Sequence, residues 1–252
     1  MNHIVVIGFM GSGKTRVGKR LSSDLGLTFV DVDKVIVKKM NMSVKEILQK
    51  FGEPYYRALE TMTVKALIED KERKVISLGA GLPVQEQNEQ YIKQLGTVVY
   101  LKGSAETLRK RLEGNSNPLL EGENQDEKIK KLLKQRDPIY HKFADIEVVT
   151  GVKPFEELIK EIEGQRILDK IPEGSFVISL CIEGTPYSTE QFQKKWNQWN
   201  KESINNITFI IGGSLGLSPK VISKGKLKLS FSKMTFPHQL MRLILIEQLS
   251  YL

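Results

Sequence analysis

One cysteine, Cys181, occurs in 252 residues. A single thiol excludes an internal disulfide framework and any cysteine-rich zinc site, and it suits a reducing cytoplasm. Cys181 lies inside an apolar run and reads as buried filler. Long apolar runs are also missing. None approaches the ~20 residues that span a bilayer, and Met1 to Ile7 lacks the charged segment and long apolar core of a secretory leader. The expectation is a cytoplasmic protein with no membrane partner. Acidic residues are short in supply: 30 Asp and Glu face 38 Lys and Arg, for a net charge of +8. Residues 1–163 hold 27 basic and 24 acidic residues, whereas residues 164–252 hold 11 and 6. A basic surface favours polyanions such as RNA, and a merely lysine-rich composition is the other reading. With 40% hydrophobic and 27% charged residues, the chain can build a core of ordinary size as one large domain or two small ones.

One stretch is specific. Gly8-Phe9-Met10-Gly11-Ser12-Gly13-Lys14-Thr15 fits the phosphate-binding pattern G-x-x-x-x-G-K-[ST] at every fixed position. His3 to Ile7 ahead of it is short, apolar and β-branched, and reads as a buried strand. Val17, Leu21 and Leu25 behind it recur at helical spacing. Glycines let backbone N–H groups curl around a phosphate chain, and a helix start adds free donors and partial positive charge. Lys14 can reach the β- and γ-phosphates, and the Thr15 hydroxyl can hold Mg²⁺.

Leu27 to Val30 reads as a second strand and runs into Asp31-Val32-Asp33. Acids at a strand's C-terminal end point into the ligand crevice of an open α/β sheet. One can organise the metal through water and the other can engage an acceptor hydroxyl; capping the next helix is the alternative. A helical stretch over about residues 43–70 breaks near Phe51-Gly52-Glu53-Pro54. Arg57 and Glu60, three apart, share a helix face there. An arginine held this way offers a rigid fork to a carboxylate, while a plain surface ion pair would contribute little. A strand over 74–78 ends in the small-residue turn Gly79-Ala80-Gly81-Leu82-Pro83. A strand over 96–101 and a charged helix over 104–113 follow. Residues 114–124 are polar and rich in turn formers, as in a lid that closes over phosphates. A helix over 126–135 leads to Arg136-Asp137-Pro138-Ile139-Tyr140, then a strand over 144–150 and a helix from 153 to about 170. Strands alternating with helices imply a mostly parallel sheet covered on both faces.

In order and spacing these motifs resemble shikimate kinase, of the nucleoside-monophosphate-kinase-like P-loop fold, over residues 1–163. The resemblance implies an α/β domain with a five-stranded parallel sheet, monomeric, that transfers the ATP γ-phosphoryl group to the 3-hydroxyl of shikimate in aromatic amino acid biosynthesis. By it, Gly11, Ser12, Gly13, Lys14, Thr15 and Arg16 would hold ATP. Lys14 and Asp33 would be catalytic, Asp33 as base. Thr15 would ligate Mg²⁺ with Asp31 helping through water. Asp33, Arg57, Arg136 and the backbone of Gly79, Ala80 and Gly81 would bind shikimate, the two arginines at its carboxylate. Two positions depart from the family. Ala80 interrupts a glycine triplet, which is tolerable unless that residue needs positive φ. Asn117, in Asn117-Pro118-Leu119-Leu120, takes the ATP-facing place of a lid arginine, and Arg109, Lys110 or Arg111 is the candidate replacement cation.

The remaining residues read as a second domain, 164–252. Ser175 to Ile182 and Ile207 to Ile211 are strands, Ser188 to Trp199 is an amphipathic helix, and an apolar helix runs from about Gln239 to Leu252. Trp196 and Trp199 read as packing residues, and His238 as a capping or packed histidine. Gly164 to Leu168, Ile210 to Leu217 and Leu229 to Gln239 closely resemble the ribosomal RNA large-subunit methyltransferase H family, small knotted SPOUT-class enzymes that methylate a pseudouridine of 23S rRNA with S-adenosylmethionine. The resemblance implies an incomplete α/β-knot domain that lacks the family's first strand and helix and its tail. The donor would be held by Leu180, Gly212, Phe231, Ser232, Lys233, Met234, Thr235 and Phe236. The expectation is a shikimate kinase with a methyltransferase-like domain that does not turn over and that can dimerise through uncovered apolar faces. The other readings are a bifunctional kinase and methyltransferase, and a module that binds 23S rRNA or the ribosome beside an impaired kinase.

Overall fold

The computed structural model describes residues 2–113, 124–213 and 215–252. The lid stretch with Asn117, and Ser214, lie outside the described residues. The chain divides into two compact units, Met1–Ile159 and Lys160–Leu252. The sequence puts that boundary at 163/164. The fold puts it slightly earlier, within one continuous helix, α8 (Phe155–Leu168).

In the first unit five parallel strands lie in the order β2-β3-β1-β4-β5. They are β1 (His3–Gly8), β2 (Thr28–Asp31), β3 (Lys74–Ser77), β4 (Gly96–Gly103) and β5 (Ile146–Thr150). β1 is buried along its whole length, as an all-apolar strand covered on both faces must be. β5, at the edge, alternates buried and exposed residues. Because all five run the same way, their C-terminal ends share one rim. That rim gathers the P-loop after β1, Asp31 and Asp33 at the end of β2, the 79–81 turn after β3, and Thr150 at the end of β5.

The helices fix what stands on the rim. α1 (Lys14–Leu25) starts at the P-loop lysine, with Gly13 capping it at φ 96°. α2 (Val32–Met40) is absent from the sequence reading. α3 (Val44–Phe51) opens with a Ser43/Glu46 capping box. α4 (Glu53–Ile68) carries Arg57 and Glu60, and the break near 51–54 is the junction of these two helices. α5 (Glu89–Leu95) and α6 (Ala105–Leu112) flank β4 in sequence. α7 (Gln125–Phe143) is longer than the sequence suggests, because it continues through Pro138. There it forgoes one backbone hydrogen bond and crowds the carbonyl one turn back.

The second unit is a three-stranded parallel sheet in the order β7-β6-β8. β6 spans Phe176–Pro186, β7 Ile207–Ile211 and β8 Leu227–Ser230. α9 (Thr189–Lys201), α10 (Pro219–Lys224) and α11 (His238–Leu249) complete it. β6 bulges between Leu180 and Thr185, both of which face Leu229. Phe192, Trp199, Ile178, Leu180 and Leu229 form its core, and Trp196 packs on Trp199 with ring centroids 6.1 Å apart. The tryptophans are thus packing residues. His238 opens α11 and is exposed, neither packed nor the cap. Leu240, Leu243 and Ile246 lie exposed along α11. Among the described residues no helix is long and apolar enough to cross a membrane.

Candidate active site

The phosphate end is built from three elements. Lys14 Nζ donates to the Gly8 and Phe9 carbonyls, both at 3.0 Å. Burial pulls its ammonium down to about 8, against the opposing pull of Asp33 and Asp31, and Arg136 adds to the lowering. Those four groups therefore share one field. Thr15 Oγ1 donates to Asp31 Oδ2 at 2.9 Å. Asp31 Oδ1 accepts from Lys34 N at 3.4 Å and caps α2, so the cap and the bond to Thr15 use different oxygens. The Ser12 hydroxyl is buried with no protein partner. Two oxygens 2.9 Å apart suit Mg²⁺, which takes few protein ligands and completes its shell with water and phosphate. Among the described residues no cluster of three or more His, Cys, Asp or Glu is placed to hold a metal.

A cavity of 610 Å³ opens beside the loop, lined by Ser12, Gly13, Arg16, Arg111, Thr150 and Phe155 among others. The Arg16 guanidinium lies 4.3 Å over the Phe155 ring. Of the three candidate replacement cations, Arg109 pairs with Glu113 and Asp126, and Lys110 pairs with Glu106. Arg111 alone of them reaches the P-loop, donating to the Gly11 and Ser12 carbonyls and to Thr150 Oγ1, each at 3.3 Å.

The acceptor end centres on α4 and the turn after β3. Arg57 donates through Nη1 to Glu60 at 2.8 Å and through Nη2 to Glu53 at 2.7 Å. Burial alone would lower the guanidinium's pKa; the two carboxylates raise it overall. Glu60 is only 1% exposed, and desolvation pushes its carboxyl up to about 7 despite Arg57. This is no surface ion pair. A methyl at Gly79 would lie 2.6 Å from Glu60 Oε1 and 2.8 Å from Asp33 Oδ1. One at Gly81 would lie 2.5 Å from Arg57 Nη1. The turn is glycine-rich because side chains press against it, and neither glycine has positive φ. Ala80 does not have positive φ either, so alanine fits. The Ala80 carbonyl accepts from Tyr140 OH at 2.6 Å. Burial pushes the Tyr140 phenol up to about 12, opposed by Arg136 and Arg57. Arg136 Nη1 is buried and has no partner.

Sequence reasoning missed Tyr56, whose phenol donates to Asp33 Oδ1 at 2.7 Å, and it gave Tyr140 no role of its own. Glu53 and Thr150 were also passed over. A tyrosine beside Arg57 on an expected helix was the available signal.

In the second unit a cavity of 290 Å³ is lined by Leu180, Gly212, Phe231, Ser232, Met234, Thr235 and Phe236, together with Cys181, Glu183 and Lys160 among others. Seven of the eight residues expected to hold a methyl donor meet there; Lys233 does not line it and is exposed. A methyl at Gly212 would lie 3.0 Å from the Gly216 backbone, so the cavity wall is tightly packed there.

Comparison with known proteins agrees with this geometry. Residues 10–165 match the family described as Shikimate kinase, and residues 120–251 the one described as Predicted SPOUT methyltransferase. In the overlap, β5 pairs with β4 and completes the first sheet. A shikimate kinase of Thermodesulfovibrio yellowstonii is 43% identical over 167 residues, which are 65% of this chain and 96% of the relative. A ribosomal RNA large subunit methyltransferase H of Bifidobacterium animalis subsp. lactis is 52% identical over 91 residues, 36% of this chain and 57% of that relative. The chain thus spans little more than half of the latter. The solved shikimate kinase from Acinetobacter baumannii in complex with shikimate superposes with a TM-score of 0.63 at 34% identity, over 68% of this chain and 96% of that one. The enzyme from Aquifex aeolicus gives 0.56 at 38%, over 66% and 97%. Matched along nearly the whole of such relatives in both sequence and fold, the chain belongs to the shikimate kinase family, and it carries a SPOUT methyltransferase-family domain behind the kinase.

Proposed function

We propose that residues 1–163 transfer the γ-phosphoryl group of ATP to the 3-hydroxyl of shikimate. Gly11, Ser12, Gly13, Lys14 and Thr15 hold the triphosphate, and Arg16 and Arg111 wall the nucleotide cavity. Arg111 carries positive charge to the loop where Asn117 brings none. Thr15 and Asp31 hold Mg²⁺, which when bound neutralises charge on the phosphates. Arg57 and Arg136 clamp the acceptor's carboxylate. The hydroxyl oxygen forms the new O–P bond as the bond from the γ-phosphorus to the bridging oxygen breaks; ADP leaves and the hydroxyl proton passes to Asp33. Positioning and charge neutralisation supply most of the rate.

The observation that carries this reading is a pair of arginines, Arg57 against the 79–81 turn and Arg136 against the tyrosine that bonds that turn. Arg57 abuts Gly81, and Arg136 has a buried nitrogen with no partner. A buried N–H left without an acceptor is costly, and an acidic substrate would supply the acceptor. A coupled assay of ADP release with shikimate tests it. Shikimate-dependent release is expected; none at high enzyme concentration overturns it. An Asn117→Arg variant run alongside reports whether Arg111 suffices, in which case kcat changes little.

For residues 164–252 the reading is a donor-binding unit for S-adenosylmethionine, supported by the seven residues that meet at one cavity. Calorimetry with S-adenosylmethionine tests it, and absence of heat overturns it. Methyl transfer to a pseudouridine of 23S rRNA is the fuller reading, and salt-dependent binding to 23S rRNA tests whether the basic unit engages RNA. The exposed Leu240, Leu243 and Ile246 support self-association of this unit, with the kinase unit monomeric. ATP chemistry and one free thiol fit a cytoplasmic setting.

A further inference from the structure

We propose that Tyr56 is a positioning residue for Asp33: its phenol engages Oδ1 and so presents Oδ2 to the acceptor hydroxyl. The inference rests on the reading of Asp33 as the group that takes the acceptor's proton.

Two contacts fix Oδ1. Tyr56 OH donates to it at 2.7 Å, and the Gly79 backbone closes from another side, where even a methyl would come within 2.8 Å of it. Tyr56 is 4% exposed and its ring is part of the first unit's core, so the phenol has no room to swing away. No described residue donates to Oδ2. An ionised carboxylate has capacity on both oxygens, and the one left open is the one a ligand can meet.

The neighbourhood leaves this task to the phenol. The charged and titratable groups around Asp33 are Lys14 from α1, Asp31 two residues before it, and Tyr56, Arg57 and Glu60 from α4, with Arg136 of α7 acting on Lys14. Lys14 is bonded to loop carbonyls, Asp31 to Thr15, and Arg57 to Glu53 and Glu60. Tyr56 is the group that bonds Asp33. Burial, and next Asp33 itself, raise the phenol's ionisation well above its ordinary range, so it stays a donor wherever the enzyme works. A neutral donor orients a carboxylate without cancelling its charge, as a cation would.

Tyr56→Phe removes the hydroxyl and keeps the ring. Proton NMR of the intact protein should show a downfield, exchange-protected hydroxyl proton that is lost in Tyr56→Phe and moves upfield in Asp33→Asn, whose amide oxygen is a weaker, uncharged acceptor. In kinetics, Tyr56→Phe should lower kcat for shikimate about tenfold with KM for ATP unchanged. Tyr100→Phe removes the other buried phenol that donates to a carboxylate, that of Asp137. It should leave the Tyr56 resonance in place, which separates the specific bond from the general loss of a phenol. An unchanged kcat in Tyr56→Phe, or a Tyr56 resonance indifferent to Asp33→Asn, overturns the inference. A resonance that responds to Asp33→Asn in a protein that turns over no shikimate upholds the phenol–carboxylate pair and overturns the shikimate reading instead.

Discussion

At the scale of single residues, this site is governed by how closely backbone and charge approach each other. Gly79 is the sharpest case. Alanine there would set a carbon 2.6 Å from Glu60 Oε1 and 2.8 Å from Asp33 Oδ1, inside van der Waals contact on both sides. Both acids must move, and on the proposed reading Asp33 meets the acceptor and Glu60 holds Arg57. Gly79→Ala should therefore lower kcat/KM for shikimate at least a hundredfold, about 2.7 kcal/mol or more, while nucleotide affinity measured by calorimetry stays within twofold. A variant that keeps its kcat/KM would show that the turn does not hold the acceptor.

Lys14 gives the pH dependence. Its folded value near 8 lies below the usual 10.5, so between those limits the lysine is neutral in the free protein. A triphosphate beside it favours the charged form. Nucleotide binding near pH 9 should thus take up about one proton, read by calorimetry in buffers of different ionisation heat. Lys14→Met should abolish the uptake. Zero uptake in the unaltered protein would contradict the depressed value.

At the scale of elements, helix packing at Gly164 sets two effects against each other. Gly164 lies in α8, and a methyl on it would meet Ser218 Oγ at 2.3 Å. Ser218 caps α10 by accepting from Val221 N. Alanine would gain about 1 kcal/mol in helix propensity, but it would cost about 1–3 kcal/mol in overpacking and about 1 kcal/mol in the disturbed cap. The clash wins. Gly164→Ala should destabilise the second unit by about 1–3 kcal/mol in urea unfolding, and a gain in stability would count against this packing.

What the chain reveals in advance follows the same division. The P-loop, β1 and α1 are legible because a phosphate cradle needs its residues contiguous. α2 is not, because Val35-Ile36-Val37 is a β-branched run with weak helix preference; the Asp31 cap and packing beside α4 make it helical. α7 reads short because Pro138 looks like a stop. Most contacts that the sequence leaves unseen span long stretches of chain; Glu53, four residues before Arg57, is the exception. Tyr56 bonds a residue 23 positions away, Tyr140 one 60 away and Arg111 one 100 away. Only the folded sheet brings such pairs to one rim, and a local pattern carries no trace of them.

At the scale of the whole molecule, two cores stand beside two separate cavities. The five-stranded unit has a cavity beside its P-loop, and the three-stranded unit a smaller one between strand ends and the 231–236 run. Ligands that bind only the folded state stabilise it by about 2.7 kcal/mol at a hundredfold excess over Kd. In calorimetric melting, ATP should raise one transition by a few degrees and S-adenosylmethionine another. One transition moved equally by both ligands would contradict independent cores.

The seam between those cores has a practical consequence. It falls between Ile159 and Lys160, inside α8, which continues from Phe155 to Leu168. Proteases cut chain that can be threaded into them as an extended strand, which is why exposed tips are nicked first. A helix with Leu158, Ile159 and Ile162 buried has to open before it can be threaded, and that opening costs free energy. Limited digestion should therefore leave this junction intact after more accessible bonds have gone. Anyone wishing to express the kinase unit alone should carry it through Leu168, because a gene cut at the apparent border would sever a helix in mid-turn.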